Sequence, residues 1–389
     1  MVNKKLELAK EVSIKEYLGN SKKNSFFGYY DNSPWDYSQR YLLHLIPPSI
    51  NRHPSPNEKA IIGYIDLENN EYRKVAKTRA WNWQMGSRLK WLKNEQNEPL
   101  FIYNDYRSGE FVSVIRHLTQ GEQKVIQVPV YSVDYERKIA LSLNFQRLHN
   151  LRPGYGYYSP KYKLKDYKPS EDGIYLVDLQ SGEVELIIAI DELAGDIEGE
   201  NHHWINHIKF NPSGNRAVFY HRYNSNEGRK TRMFTINTDG SDLYCLCDSG
   251  YISHFAWKND EEILAWARID DEKNYYLFKD KSQKTKKIGE KCLKEDGHPS
   301  FSPDRRWILT DTYPNKGGWK KLILYNIKEN KKVEIGRFYT PIKYSGALRC
   351  DLHPRWNRDG SKVCIDSVHE GSRKMYVLNV SQIVKSGDT

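Results

Sequence analysis

The stretch that decides the fold is HIKFNPSGNRAVFYHR, residues 207–222, because the chain repeats its plan three more times. Each copy has a histidine, an aromatic residue three positions later, a polar turn and a hydrophobic strand. The further copies are HFAWKNDEEILAWAR at 254–268, HPSFSPDRRWILTDTY at 298–313 and HPRWNRDGSKVCIDSV at 353–368. An internal repeat of this kind determines the architecture of the whole chain.

Three weaker copies lie upstream, namely NSPWDYSQRYLLHL at 32–45, RLKWLKNEQNEPLFIYND at 88–105 and VYSVDYERKIALSLNF at 130–145. Each of the seven units spans roughly forty to sixty residues and contains four short strands separated by turn residues such as PSG and RDGS. Four-stranded units of this period are propeller blades. The sequence therefore predicts an all-β fold, a seven-bladed β-propeller of four-stranded antiparallel blades.

The propeller is expected to form a single domain over residues 24–389, with residues 1–23 packing on the ring or closing it. The N-terminal residues MVNKKLELAKEV lack the apolar core of a signal peptide, and no later segment is a membrane-spanning run. The five cysteines are odd in number and irregularly spaced, which does not suggest a disulfide framework. These features predict a cytoplasmic protein without membrane insertion; they do not indicate its oligomeric state.

The net charge of +10, from 60 Lys and Arg against 50 Asp and Glu, favours an anionic partner. The basic residues are scattered, and no RNA-binding, zinc-finger or helix-turn-helix signature accompanies them, so a nucleic acid is not expected. An acidic oligo- or polysaccharide fits the same charge.

The four strong copies place a histidine at one equivalent position, at His207, His254, His298 and His353. The first strand of a propeller blade is the innermost, so these side chains are expected to form a ring around the axis near one mouth. A single histidine at a strand start is usually a satisfied polar residue, but four in register favour a site. Asn32 and Arg88 occupy the matching positions upstream.

Several imidazoles at one mouth suit Zn²⁺ or Mn²⁺, because neutral histidine is a common ligand of both metals. Cys350 and Asp351 could reach the same rim and supply a softer or a harder ligand. The predicted metal ligands are His254, His298, Cys350 and His353.

The second strand of each unit runs back toward the same mouth, so polar residues at its end are expected to face the histidines. They are Asn104, Arg147, His221, Arg222, Arg268, Asp311 and His369. The longest insertion, residues 147–173, also leaves this mouth and carries Arg152, Tyr155, Tyr157 and Tyr158. It is either a lid or sugar-stacking platform, or a solvated loop. The predicted substrate-binding residues are Asn104, Arg88, His202, Arg222, Arg268 and Tyr155.

The phrases FSPDRRWILT at 301–310 and WNRDGSKV at 356–363 resemble the blade motif of TolB-type propellers. The combination of GHPSFSPD at 297–304, LHPRWNRDGS at 352–361 and GYYDNSPWD at 28–36 is similar to the propeller polysaccharide lyases. Oligogalacturonate lyases are the comparison for the last two blades, and ulvan lyases for the overall layout.

This resemblance implies a divalent metal held by histidines of the late blades, at His298 and His353. The stretch VYSVDYERKIALSLNFQR at 130–147 resembles a Tyr-to-Arg stretch of the ulvan lyases and implies roles for Tyr131 and Arg147. The second blade departs from that family, because Gln84 and Arg88 stand where its catalytic histidine is expected.

Residue chemistry and resemblance together favour a carbon–oxygen lyase that cleaves a uronate-containing glycan by metal-assisted β-elimination. The reaction needs a cation on the uronate carboxylate, a base for the C5 proton and an acid for the leaving oxygen. The cation is Arg147, Arg222 or a metal; the candidates for base are His203, His207 and His221, and for acid Tyr131, Tyr155 and Tyr157. A non-catalytic carbohydrate- or protein-binding propeller is the alternative, and hydrolysis ranks below lysis because few carboxylates fall at the rim.

Overall fold

The computed structural model consists of seven antiparallel sheets arranged in chain order, and the predicted seven-bladed β-propeller is confirmed. The first strands of blades three and four contact each other, as do those of blades five and six, which places these strands on the inner side of the ring. The residues that the structure describes are 5–16, 24–94, 96, 98–195 and 197–385.

Strands and helices are numbered here along the chain. Two short strands and the first blade comprise β1 Leu6–Leu8, β2 Ser13–Glu16, β3 Tyr41–Ile46, β4 Ala60–Asp66 and β5 Glu71–Thr78. Blades two and three comprise β6 Lys90–Leu92, β7 Leu100–Arg107, β8 Glu110–His117, β9 Gly121–Ile126, β10 Ser132–Asp134, β11 Ile139–Leu143, α1 Phe145–Leu151, β12 Gly173–Asp178, β13 Val184–Ala189 and α2 Ile190–Ala194.

Blades four and five comprise β14 His203–Phe210, β15 Arg216–Ser225, β16 Gly228–Asn237, β17 Tyr244–Gly250, β18 Ile252–Trp257, β19 Glu262–Ile269, β20 Glu272–Lys279 and β21 Thr285–Ile288. Blades six and seven comprise β22 Ser300–Phe301, β23 Trp307–Asp311, β24 Trp319–Asn326, β25 Lys331–Tyr339, β26 Arg355–Trp356, β27 Lys362–Ser367, β28 Lys374–Asn379 and α3 Ser381–Lys385.

Burial explains why the inner and outer strands differ in sequence. Strand β14 is buried at every residue except Lys209, which is half-buried, whereas the outer strand β5 is exposed or half-buried at every residue except Thr78. Aromatic and branched side chains pack between blades three and four, where one buried cluster contains Leu141 and Ile174 of the former and Phe219 and Phe234 of the latter. The buried inner strands fix their polar side chains firmly, which is what a functional site requires.

Blade one differs from the others because its sheet contains three strands, β3 to β5, within the described residues. An irregular segment takes the innermost position of this blade. It pairs with β3 only through two isolated bridges, Phe26 with Leu45 and Trp35 with Leu42. Gly28 lies in this segment with a φ of 134°, and a Cβ there would meet the Met85 carbonyl oxygen at 2.8 Å. Only glycine tolerates this backbone, and it brings the following residues onto the axis.

The two N-terminal strands join the last two blades. Strand β2 pairs with β28 as the outermost strand of blade seven, and β1 pairs with β25 as a fifth strand of blade six. Residues from both ends of the described chain therefore hold the ring together.

No helix in the described part of the chain is long and apolar enough to cross a membrane.

Candidate active site and metal centre

The four histidines in register meet around the ring of Tyr29. Neighbouring imidazole centroids are 6.0 Å apart for His207 and His254, 4.1 Å for His254 and His298, and 4.5 Å for His298 and His353. The Tyr29 centroid lies between 4.9 and 6.4 Å from all four. The ring position that the repeat predicts thus exists, and a buried tyrosine fills its centre.

The register position that carries these histidines has an unusual backbone. His207 and His353 have φ values of 55° and 44°, and Arg88, the equivalent residue of blade two, has 56°. The pairing of β14 with β15 shifts register between Asn206 and Lys209, which is a bulge at His207. A left-handed residue in a strand is strained and re-aims its side chain. His254 and His298 reach the same cluster without a left-handed backbone, so this conformation belongs to His207 and His353 alone among the four histidines.

His298, Asp351 and His353 form a triad whose potential ligand atoms all lie within 4.8 Å of one another. The Asp311 carboxylate holds His298 Nδ1 at 2.8 Å, and the Gly28 carbonyl accepts from His353 Nδ1 at 2.9 Å. Both Nε2 atoms are buried without a hydrogen-bond partner. A carbonyl can only accept, so His353 carries its proton on Nδ1 and presents a bare Nε2, the form that binds a metal.

The donor set of this triad fits Mn²⁺ or Zn²⁺. Two imidazoles and one carboxylate suit either metal. The hydrogen bonds at the Nδ1 atoms of His298 and His353 orient both rings. Burial raises the pKa of Asp351, but Arg349 and Lys320 outweigh it and bring the pKa down to about 2. The carboxylate is therefore ionised, with Arg349 Nε 2.7 Å from its Oδ2.

Two predicted metal ligands lie outside the triad. His254 Nδ1 faces Ser253 Oγ at 2.9 Å and Asp296 Oδ1 at 3.3 Å. Cys350 is buried, and burial raises the pKa of its thiol, which keeps the thiol protonated. Asp351, which the sequence offered as the harder alternative to Cys350, is the third member instead.

Beside the histidines lies a cavity of about 230 Å³, here called the arginine cavity. Its wall consists of Arg152, Tyr155, His207, Arg222, Arg229, Thr231, Gly250, Tyr251, Ile252, Ser253, His254, Asp296 and Tyr313. Three guanidinium groups against one carboxylate make this wall strongly positive. The cavity suits an anionic ligand.

Arg222 is the most unusual of these cations. Its side chain is 4% exposed, and its Nε has no hydrogen-bond partner. Among the described residues, no acidic side chain lies within ion-pair distance of it, and burial lowers the pKa of its guanidinium. A buried charge without a counter-ion costs free energy. An incoming carboxylate would supply the missing partner.

His254 combines access to the arginine cavity with a carboxylate behind its ring. Burial and the neighbouring His298 lower the pKa of His254, and Asp296 opposes this effect. The imidazole is therefore neutral near pH 7 and is oriented through Nδ1 by Asp296. A neutral imidazole backed by a carboxylate is the arrangement of a general base.

Tyr155, on the insertion after α1, differs from the other buried tyrosines of the site. Burial raises its pKa, but Arg349 and Arg152 outweigh burial, so the pKa of Tyr155 is lowered overall. Arg349 Nη2 donates to its hydroxyl oxygen at 2.9 Å. The pKa of Tyr131 and of Tyr157 is raised by burial instead. Tyr155 is therefore the tyrosine best suited to transfer a proton.

Other predicted site residues serve internal connections. Arg88 pairs with Asp31 at 2.7 Å, and its guanidinium lies over the Tyr131 ring. The Tyr131 hydroxyl lies 3.5 Å from His207 Nδ1. Asn104 donates from its amide to the hydroxyl oxygen of Tyr157 at 3.1 Å, so both are bonded within blades two and three.

Arg147 and His202 lie at the base of the insertion. Arg147 donates to the backbone carbonyls of His203, Asp166 and Tyr167 at 2.6 to 2.9 Å, so it ties the insertion to blade four. His202 stacks on Tyr167 with ring centroids 4.5 Å apart. Arg268 is half-buried, with its guanidinium 5.9 Å from the Tyr251 ring at the edge of the arginine cavity.

His203 and His221 bind each other and line neither the arginine cavity nor the triad. His203 Nδ1 and His221 Nε2 are 2.9 Å apart, and both side chains are fully buried. Burial lowers the pKa of His203 to about 4 and that of His221 to about 2, with the cations Lys168, Arg147 and Arg232 adding to the shift.

This pair predicts a loss of stability in mild acid. The unfolded state takes up protons near pH 6.5 and the folded pair does not, so the free energy of unfolding falls as the pH drops below that value. Each histidine contributes up to about 1.4 kcal/mol per pH unit. Urea denaturation at pH 7 and pH 5 measures the loss, and His221→Phe should reduce it. An equal loss in the variant and the parent would contradict the assignment.

Sequence reasoning missed several residues of the site. Tyr29 and Tyr30 follow Gly28 in an irregular segment, and only their place in the GYYDNSPWD phrase drew attention to them. Asp296 lies between strands, two residues before His298, and has no equivalent in the repeat. Arg349 is the first residue of RCDLHPRW, residues 349–356, and directly follows the short 3-10 helix Gly346–Leu348. None belongs to a strand, so the strand repeat could not locate them.

No family model and no curated protein matches the chain. Many solved structures match, and two of them illustrate the similarity over nearly the whole chain. An oligogalacturonate lyase from Vibrio parahaemolyticus has a TM-score of 0.67 and 13% identity, covering 96% of each chain. The fold is that of the oligogalacturonate lyases. An oligogalacturonate lyase in complex with manganese has a TM-score of 0.68 and 14% identity, covering 96% of this chain and 97% of the other.

The similarity that the sequence phrases suggest is thus confirmed at the level of the fold. An acylaminoacyl peptidase from Pyrococcus horikoshii also matches, with a TM-score of 0.51, 10% identity and coverage of 90% of this chain and 51% of the other. Propellers of this kind occur in proteins of different function. The function has to be argued from the site.

Proposed function

We propose that this protein is a carbon–oxygen lyase that cleaves an acidic, uronate-containing glycan by metal-assisted β-elimination. The observation that carries the proposal is the unpaired, buried guanidinium of Arg222 in the same cavity as His254, whose ring is oriented by Asp296. The carboxylate of a uronate sugar would pair with the Arg222 guanidinium. The acidic C–H of the same sugar would then face the His254 imidazole.

The arginine cavity binds the uronate carboxylate through Arg222, with Arg152 and Arg229 in the same wall. Neutralising that carboxylate lowers the free energy of the carbanion-like intermediate. When bound by His298, Asp351 and His353, a divalent metal supplies further positive charge of this kind.

His254 then removes the C5 proton through Nε2, while Asp296 stabilises the imidazolium through Nδ1. Tyr155, whose hydroxyl is held by Arg349, donates a proton to the departing glycosidic oxygen. The C4–O bond breaks as the C4–C5 double bond forms, and no water is consumed.

His207 is a weaker candidate for the base. It lines the arginine cavity, but its Nε2 and Nδ1 lie 3.4 and 3.5 Å from the hydroxyls of Tyr29 and Tyr131. His203 and His221 are excluded from this role by their bond to each other.

Hydrolysis is disfavoured because each carboxylate of the site already has a partner. Asp296 faces His254, Asp311 faces His298 and Asp351 faces Arg349. A glycosidase needs two carboxyl groups free to act on the glycosidic bond and on water or the sugar.

The direct test is the ultraviolet absorbance of a 4,5-unsaturated uronate after incubation with Mn²⁺ and a panel of acidic glycans. Appearance of this chromophore on at least one glycan supports the lyase. Saturable glycan binding without the chromophore would favour the non-catalytic binding propeller, and a new reducing end without it would indicate a hydrolase.

Metal uptake gives a separate prediction. Equilibrium dialysis against Mn²⁺ should show one equivalent bound, and His353→Ala should abolish it. Asp311→Asn, which removes the carboxylate behind His298, is expected to weaken binding about 10–100-fold. Cys350→Ser should keep the metal, because its thiol remains protonated. Uptake lost in Cys350→Ser but kept in His353→Ala would contradict the triad.

A further inference from the structure

A second cavity, of about 410 Å³, lies toward the other end of the propeller axis and is here called the lysine cavity. Its wall includes Phe255 to Trp257 of β18, whereas the arginine cavity takes the beginning of the same strand, Ile252 and Ser253. The two cavities therefore follow each other along the axis. His207 lines both, and Tyr29 and Tyr30 line the lysine cavity, so these three side chains form the partition.

Two lysines bring positive charge into this cavity. The ammonium groups of Lys90 and Lys209 contact the backbone carbonyls of Val133 and Asp31. The Asp31 carboxylate is already bound by Arg88 through two hydrogen bonds of 2.9 and 2.7 Å. Among the described residues, no carboxylate lies within ion-pair distance of either lysine. The negative charge of Asp31 nevertheless acts on both at longer range.

Placing these two cations in the cavity wall carries an electrostatic cost. Burial, followed by the charge of Lys209, lowers the pKa of Lys90 to about 7, and burial also lowers that of Lys209. An anion placed between them would remove this cost. The proposed lyase reaction uses neither lysine, so their burial is unexplained by it.

Aromatic side chains supply much of the remaining wall, which also carries the carboxylates of Asp134 and Glu136 and the ammonium group of Lys93. Tyr37, Phe210, Trp257 and Phe301 line the cavity, and Trp257 Nε1 donates to the Lys209 carbonyl at 3.2 Å. Flat apolar faces with a few polar groups are typical of sites for small organic ligands, and the volume lies in their usual range. Arg305, at the rim, is exposed to solvent.

We propose that the lysine cavity is a second ligand site, which binds a small organic acid of the size of one sugar ring through Lys90 and Lys209. The ammonium groups hold the acid, and the aromatic faces contact the C–H groups of the ring. The site is separate from the arginine cavity, so it does not depend on whether the protein is a lyase.

Tryptophan fluorescence can report on this site, because Trp91 and Trp257 line the lysine cavity and no tryptophan lines the arginine cavity. Titration with D-glucuronate, in the Arg222→Gln variant that disables the other cavity, is expected to give a saturable change. Trp257→Phe should remove most of it. Lys209→Met and Lys90→Met, which keep the side-chain volume, should each raise the Kd at least tenfold.

Thermal unfolding identifies any variant that fails to fold. Because two lysine variants are made, the proposal can still be tested if one of them does not fold. Neutral glucose should give no saturable change. The proposal is overturned if glucuronate gives none either, or if the response persists in the folded lysine variants. Inorganic phosphate that saturates the signal as tightly as glucuronate would overturn the assignment to an organic acid. None of these outcomes depends on finding a 4,5-unsaturated product.

Discussion

The His254→Ala variant is expected to lose about 10²–10⁴-fold in turnover on the acidic glycan that the protein cleaves. The loss follows from removal of the base that takes the C5 proton. The Km should change little, because the arginines that bind the carboxylate remain. Production of the unsaturated uronate under saturating glycan measures the effect.

Two variants make this result specific. Asp296→Asn leaves the imidazole in place but removes the carboxylate 3.3 Å from its Nδ1, so turnover should fall less and the acidic limb of its pH profile should move to lower pH. His117→Asn, in the outer part of blade two, should behave as the parent. A His254→Ala enzyme with parental turnover would remove His254 from the mechanism and return the role of base to His207.

The Arg222→Gln variant is expected to separate activity from stability. Loss of the group that stabilises the developing negative charge should lower kcat/KM about 10²–10³-fold. Arg222 is a buried cation without a counter-ion, so replacing it should leave the free energy of unfolding of the free protein unchanged or raised. Turnover assays and urea denaturation on the same preparation test both expectations.

Arg88 provides a matched control. It is 3% exposed, close to the 4% of Arg222, but it is paired with Asp31. Arg88→Gln leaves that carboxylate buried without its cation and is expected to cost about 3–5 kcal/mol of stability. Equal destabilisation by the two substitutions would show that Arg222 has a structural partner and would contradict its role as an anion site.

The fold was predictable because the repeat shows both where each inner strand begins and where the chain reverses. The histidine-to-aromatic spacing marks each inner strand, as at His207 and Phe210, and the turn phrases mark the reversals. Blade one was harder to predict, because an irregular segment replaces its inner strand. This segment forms isolated bridges only at Phe26 and Trp35. A strand pattern cannot describe a segment that is not a strand.

The site was predictable only in part, because position in the repeat says nothing about side-chain partners. The register placed His254, His298 and His353 together, and they do meet. It gave no means to tell Arg222, which lacks an anion, from Arg147, which is bound to three carbonyl oxygens. Charge pairing arises from contacts between distant parts of the chain, such as Arg88 with Asp31.

The pairing of β1 and β2 with the last two blades has a consequence for synthesis of the chain. Residues 6–16 leave the ribosome more than three hundred residues before their partner strands, at 331–339 and 374–379. Blades one to five, from β3 to β21, can assemble one after another, whereas the final closure joins segments separated by more than three hundred residues, a contact that forms slowly. Until that moment the last blade has an unpaired edge, which is open to addition of a foreign strand. The nascent protein is therefore most vulnerable to misassembly in the interval between the synthesis of β28 and its pairing with β2.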